Sequence, residues 1–173
     1  MPRSLVVFLL LLCPAAVWGQ SESEIIQREL ARTKPDYVVY RPHGLDGKSL
    51  DTGNEHFLVF DGPDGSLMAV WTQSSYEGAG NHRIVFARST DEGVTWSAPL
   101  RLVGPTRIGE GYMASWGFPL VSRRGRIYVV YNQHQGVVDT HAQFTGSMDC
   151  LYSDDYGKTW SKPQTIPMRK SPL

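Results

Sequence analysis

The sequence predicts an all-β protein built from repeated four-stranded blades, and three observations carry that prediction. An eight-residue stretch occurs twice, at Ser89 to Trp96 and again at Ser153 to Trp160, with Asp, Gly, Thr and Trp at matching places and a Ser-x-Pro continuation in each copy. Each copy is preceded by a glycine-led apolar run that ends in an aromatic residue, a polar residue and Gln: Gly65 to Gln73 and Gly125 to Gln133. Beyond Pro35 the chain offers only short runs rich in β-branched and aromatic residues, punctuated by Gly, Pro, Asn and Asp. Duplicated units of several short strands indicate a propeller blade or a related radial array.

The first 19 residues read as a secretory leader. Arg3 supplies the positive start, Leu5 to Cys13 is an uninterrupted apolar run, Pro14 breaks it, and Val17 to Gly19 offers a cleavage site. The run is too short for a stable membrane anchor. Leu10 to Cys13 also permits a lipoprotein reading, which bulky Leu12 and the following Pro14 disfavour. With the leader removed, Cys150 is the one remaining thiol, so no internal disulfide can form, and it reads as a small apolar residue on a strand.

Ser21 to Arg32 is the one convincing helix. Ser21 or Ser23 can cap it, Glu22 and Glu24 favour its positive end, Ile25, Ile26, Leu30 and Ala31 can share one side, and Pro35 stops it. Strands are then expected at Tyr37 to Arg41, His56 to Phe60, Leu67 to Thr72, Arg83 to Arg88, Leu120 to Val121, Arg126 to Asn132 and Asp149 to Tyr152. The absence of a second helical pattern excludes a βαβ architecture. The organisation is therefore a leader over 1–19, a helical segment over 20–35 and blades over 36–173.

The repeated stretch has a local physical meaning as a tight bend between antiparallel strands. Its Asp can accept hydrogen bonds from backbone N–H groups a few residues on, its Gly can take a positive φ, and its Trp can return to the core. The leading glycines are 60 residues apart and the tryptophans 64, so the second unit holds four extra residues between its apolar run and its bend.

At 173 residues, 41% hydrophobic and 20% charged, the composition is that of about one globular domain. Basic and acidic residues number 17 each, which argues against nucleic acid as a partner.

The duplicated bend resembles the Asp box of the sialidase superfamily, also called the bacterial neuraminidase repeat. The runs that precede it resemble the inner strands of those propellers, and the likeness covers about His56 to Pro163. It implies a partial six-bladed β-propeller of two to three four-stranded blades, with the boxes on the outer rim, so that Asp91 and Asp155 are structural. It also implies a glycoside hydrolase that binds the sugar carboxylate with arginines, uses an Asp as acid/base and has a Glu-activated Tyr as nucleophile. No cofactor is implied, and the partner is a glycan or glycoconjugate.

Two positions depart from the family pattern. His56 stands roughly where the first arginine belongs, and the loop from Ser74 to His82, where the acid/base Asp is expected, holds Glu77 and Asn81 but no Asp. Glu77 is the candidate general acid, or a solvated surface residue. His56 and Asn81 are candidate sugar ligands, with a hydrogen-bonded rim histidine as the plainer reading of His56. Trp116 offers either a stacking face for a sugar or, more commonly for such a residue, buried packing. The longer loop of the second unit gathers Asn132, Gln133, His134, Gln135, Asp139 and His141. Asp139 is its candidate catalytic group, and Asn132 and His134 are its candidate ligands. Asp139, His141 and His134 match no strong metal signature, so no metal is expected.

A closed propeller of this kind takes about six blades of roughly 45 to 60 residues. The chain is therefore expected to be the N-terminal part of a longer protein, with the Tyr, its Glu and further arginines downstream. Two functions fit: a secreted, periplasmic or cell-surface sialidase-like hydrolase of terminal sugars, inactive as this portion alone, or a non-hydrolytic glycan-binding propeller or polysaccharide lyase on the same scaffold.

Overall fold

The computed structural model of the chain describes residues 21–44, 48–134 and 146–167. The chain divides into two compact units, 1–36 and 37–173. The first carries α1, Glu22–Arg32. The Ser21 hydroxyl accepts the Glu24 N–H at 3.3 Å while the Glu24 carboxylate accepts the Ser21 N–H at 2.8 Å, a reciprocal cap that satisfies two backbone donors.

The second unit is two antiparallel sheets of four strands each. The first runs in the order β1 (Gly53–Asp61), β2 (Leu67–Ser74), β3 (Arg83–Ser89) and β4 (Leu100–Val103). The second repeats that order with β5 (Ala114–Val121), β6 (Ile127–His134), β7 (Gly146–Ser153) and β8 (Gln164–Thr165). Six of the seven expected runs are strands. The seventh, Tyr37 to Arg41, is irregular: Val39 and Tyr40 pack on the first blade, yet the segment pairs with no strand. The two outer strands, β4 and β8, are only four and two residues long, too short for a pattern to identify them.

Alternation in β2 and β3 explains why the blades stack. Met68, Val70, Ile84 and Phe86 face the second blade and form one buried cluster with Ala114, Ile127, Val129, Tyr131 and Leu151. Ala69, Trp71, Val85 and Ala87 face the other way and are covered by Val39, Tyr40 and Trp96. Period-two patterning with both faces apolar leaves no solvent face, so such a sheet needs a neighbour on each side. Tyr40 is fixed there by donating to the Asp51 carboxylate, which also accepts from the His43 backbone N–H at 2.9 Å. Burial works against the ionised Asp51, but the Tyr40 hydroxyl and His43 hold its pKa down to about 2.

The two repeated bends are superimposable in their bonding. In each, the serine hydroxyl donates to the box Asp at 2.8 Å and accepts the glycine N–H at 2.9 Å. The Asp then accepts the threonine N–H, at 2.9 Å in the first box and 2.8 Å in the second, and the threonine hydroxyl, at 2.6 Å in both. Glu92 and Gly93, and likewise Tyr156 and Gly157, have positive φ, as the two central residues of a type I′ bend require. Trp96 and Trp160 each donate their indole N–H to the box glycine carbonyl. The second Trp lies edge-on to Phe86 of the first blade at 5.2 Å between ring centres, so this box also pins the blade seam.

Two outcomes follow for the boxes. A Cβ on Gly157 would lie 2.4 Å from Phe86 Cζ, whereas on Gly93 the nearest atom would be Leu67 Cδ1 at 3.4 Å. Gly157→Ala therefore costs more than the backbone strain of about 1–3 kcal/mol that both substitutions share. Urea unfolding of the two variants checks this, and equal losses would contradict it. Hydrogen bonds from Thr159, first from its hydroxyl and then from its backbone, hold the Asp155 pKa at about 2, below the usual 3.8. A depressed carboxylate stabilises the fold above its unfolded value and loses that contribution as pH falls through the folded one. Asp155→Asn is accordingly less stable at neutral pH and shows a shallower loss of Tm than the parent between pH 3.8 and about 2.

Candidate functional site

The boxes lie at one end of the sheets and the candidate site at the other. Leu67 pairs with Ser89, which opens the first box, while Gln73, at the far end of β2, pairs with Arg83 after the 75–82 loop. The β4–β5 connection returns to this same end, where Val103 pairs with Ile84 and Ala114 with Gln133. A concavity of about 510 Å³ opens at the box end, lined by Pro63, Arg123, Arg126 and Asp154 among others. It is formed by hairpin turns and contains none of the candidate site residues.

His56 and Trp116 are brought together. Both sit in β-bulges of the edge strands β1 and β5, at equivalent places: the register shifts between Glu55 and Leu58 in one blade and between Ser115 and Phe118 in the other. Both have positive φ, 52° for His56 and 56° for Trp116. Histidine tolerates that region better than most residues and tryptophan does not, and each non-glycine residue there costs on the order of 1–3 kcal/mol to hold. The restraints are visible. Thr72 Oγ1 accepts the Trp116 backbone N–H at 3.0 Å, and Gly117 lets β5 press on the first blade, where a Cβ would lie 2.9 Å from Val70 Cγ1 and 3.0 Å from Ile84 Cγ2.

The Trp116 indole N–H donates to His56 Nε2 at 2.5 Å, with the rings edge-on at 81° and their centres 5.5 Å apart. That bond requires Nε2 to be the unprotonated acceptor, which places the neutral ring's proton on Nδ1. The Trp116 ring also lies 6.3 Å from that of His134. Contrary to the buried-packing expectation, Trp116 is 51% exposed, because its left-handed backbone turns the side chain out of the sheet.

The other candidates separate. Glu77 is exposed at the tip of the 75–82 loop. Asn81, expected as a sugar ligand, is instead a buried strut: its amide oxygen accepts the Ser75 N–H and its NH2 donates to Ser75 Oγ at 2.8 Å. Asn132 is half-buried and occupies in the second blade the register place of Thr72 in the first, opposite Ser115 as Thr72 is opposite Glu55. It is thus positioned to support an inner strand more than to meet a sugar. His134 is half-buried beside Trp116, its backbone N–H donating to the Met113 carbonyl at 2.8 Å. Asp139 and His141 lie outside the described residues.

Sequence reasoning passed over His82 and Ser115. His82 is 2% exposed and sits in the blade seam, its Nδ1 3.0 Å from Ser115 Oγ and its Nε2 3.4 Å from the Tyr76 carbonyl. The carbonyl can only accept, so Nε2 donates and Nδ1 receives the Ser115 hydroxyl proton. A further bond runs from the Ala114 N–H to the His82 carbonyl at 3.0 Å. The 60-residue offset aligns His56 with Trp116 and Thr72 with Asn132, but it carries no signal for His82 or Ser115.

Two repeated blades with boxes at one end and a polar, aromatic seam at the other define a propeller-forming class of protein. The chain belongs to the BNR repeat-like domain family, whose model matches residues 65–172. Among curated proteins, none matches it. Two solved structures share the fold. The Hadza microbial sialidase Hz136 superimposes with a TM-score of 0.57 at 20% identity, over 68% of this chain and 26% of its own. A protein of unknown function from Dyadobacter fermentans superimposes with a TM-score of 0.51 at 16% identity, over 66% of this chain and 36% of its own. The chain thus spans about a quarter to a third of the structures it resembles.

If the strain at His56 is held for a purpose other than stability, His56→Gly is nearly neutral in urea unfolding. Relief of about 1–3 kcal/mol of backbone strain offsets a lost hydrogen bond of about 0.5–1.5 kcal/mol and about 0.4–1 kcal/mol of added unfolded-chain entropy. A loss of several kcal/mol would instead make the pair a structural clamp.

Proposed function

We propose that the protein is a secreted, sialidase-like glycan-acting propeller protein whose whole form hydrolyses terminal sugars, sialosides being the first to test. The observation that carries the reading is the His56–Trp116 pair. Two strained residues at equivalent bulges meet across the blade seam and hold a half-exposed indole face where a sugar ring can stack, beside an imidazole whose Nδ1–H can donate to a hydroxyl or carboxylate. Glu77, exposed on the neighbouring loop, is the candidate acid, with Asp139 as the alternative. The leader-like stretch over 1–19 supports secretion. Among the described residues no helix is long and apolar enough to cross a membrane, which leaves β-barrel spanning untouched.

The blades in this chain supply one wall of the pocket, so the chain alone is expected to bind and not to turn over. A second reading, a non-hydrolytic glycan-binding propeller, is favoured by one specific feature: a histidine tied to an indole stands where the family resemblance calls for a carboxylate-binding arginine. The full-length protein on a fluorogenic sialoside separates the two. Turnover that falls at least about a hundredfold in Glu77→Gln supports the hydrolase, within the range general acid catalysis contributes. Binding without turnover at any pH supports the lectin-like reading.

A further inference from the structure

Every residue lining the box-end concavity of about 510 Å³ belongs to the β1–β2 turn, the β5–β6 hairpin or the second box, so the two blades build it by themselves. Pro63 comes from the first of these, Arg123, Arg124 and Arg126 from the second, and Asp154 and Tyr156 from the third. The two turns touch, since a Cβ on Gly125 would lie 3.4 Å from Pro63 Cβ. Three guanidiniums against one carboxylate leave two positive charges in excess there, in a chain whose basic and acidic residues number 17 each.

The first blade shows that its turn does not need those charges. At the 60-residue offset Pro63 and Asp64 hold the places of Arg123 and Arg124, and the glycine that follows has the same left-handed backbone in both turns, φ 81° at Gly65 and 84° at Gly125. Asp64 accepts the Ser66 hydroxyl at 2.7 Å and pairs with Arg88, so the first turn is neutralised from within. In the second blade Tyr152 stands at the register place of Arg88, and the ion pair is rebuilt from Arg126, whose guanidinium lies 4.1 Å over the Tyr152 ring and donates to both Asp154 oxygens at 2.6 and 2.8 Å. Asp154 is thereby engaged by Arg126. Arg123 and Arg124 are exposed and have no ion-pair partner among the described residues.

We propose that this concavity binds the phosphate monoester of a compact organic molecule, Arg123 and Arg124 taking the phosphate while Tyr156 and Pro63 meet the organic body. A phosphate monoester carries about −1.5 to −2 charge at pH 7, which matches the two uncompensated guanidiniums. Each arginine fork can give a phosphate two parallel N–H bonds, which a lysine cannot. The volume falls within the roughly 300–1,000 Å³ of small-molecule sites, more than a bare anion fills. The site lies at the opposite end of the sheets from His56 and Trp116 and does not depend on the glycan reading.

Heteronuclear NMR titration at fixed ionic strength, following the Gly125 and Tyr156 amides, tests this with glucose 6-phosphate, inorganic phosphate and glucose as probes. In the parent chain glucose 6-phosphate is expected to shift both amides saturably and to bind more tightly than inorganic phosphate, and glucose to leave them unmoved. Arg123→Pro/Arg124→Asp installs the turn the first blade already folds with, and is expected to weaken glucose 6-phosphate binding at least about tenfold. Arg123→Lys/Arg124→Lys keeps the charge without the fork and is expected to weaken it several-fold. No saturable shift in the parent, an unchanged Kd in the Pro/Asp variant, or full affinity in the lysine variant overturns the site. Equal affinity for the two phosphates overturns the ester and leaves a site for the free anion only.

Discussion

A β-sheet whose two faces are both apolar has to be buried twice, by different neighbours, and the architecture follows from that constraint. β2 places Met68 and Val70 on one side and Ala69 and Trp71 on the other. The second blade covers the first side and the segment around Val39 and Tyr40 covers the second. Burial of this kind is worth about 1.5–3 kcal/mol for each large side chain, so the seam outweighs any single polar contact in the structure. At the seam's far end the bulges of β1 and β5 meet beside the β2–β3 and β4–β5 connections.

The same repeat is used differently in its two copies, and the differences mark what each position does. Trp71 donates its indole N–H to Asn54 Oδ1 at 2.8 Å. In the second blade Tyr131 stands at that place and Ala114 replaces the asparagine, so the buried Tyr131 hydroxyl has no hydrogen-bond partner among the described residues. Burial pushes that phenol's pKa up and keeps it neutral. The boxes, by contrast, are identical in bonding because their task is identical: an Asp, a Gly and a Trp close the bend without help from the rest of the fold.

That contrast explains what was legible in the sequence. The boxes, the strands β1 to β3, β6 and β7, the last two residues of β5, and the helix were readable because each is specified by local chemistry: a capping serine, a glycine at positive φ, alternating apolar residues. The strands β4 and β8 were not, since Leu100–Val103 and Gln164–Thr165 are too short to stand out and take their place by pairing with β3 and β7. At the site, His56 and Trp116 were chosen by residue type and the structure joins them, but their left-handed backbones were invisible. Tryptophan does not announce that conformation, and at Trp116 it is held by Thr72 and by the close approach at Gly117. Asn81 misled because a buried amide serving Ser75 looks, in sequence, like an exposed one waiting for a sugar. His82 was missed because its role appears only when the second blade closes over it.

The duplicated blades pack so that His56 and Trp116 meet across the seam. The most direct measurement is ¹⁵N NMR of the His56 ring and the Trp116 indole in the folded chain at neutral pH. The expected result is a His56 ring protonated at Nδ1, with Nε2 carrying a hydrogen-bonded acceptor shift coupled to a slowly exchanging Trp116 indole proton. A His56 ring protonated at Nε2, or a Trp116 indole proton exchanging as fast as in a free indole, would contradict it.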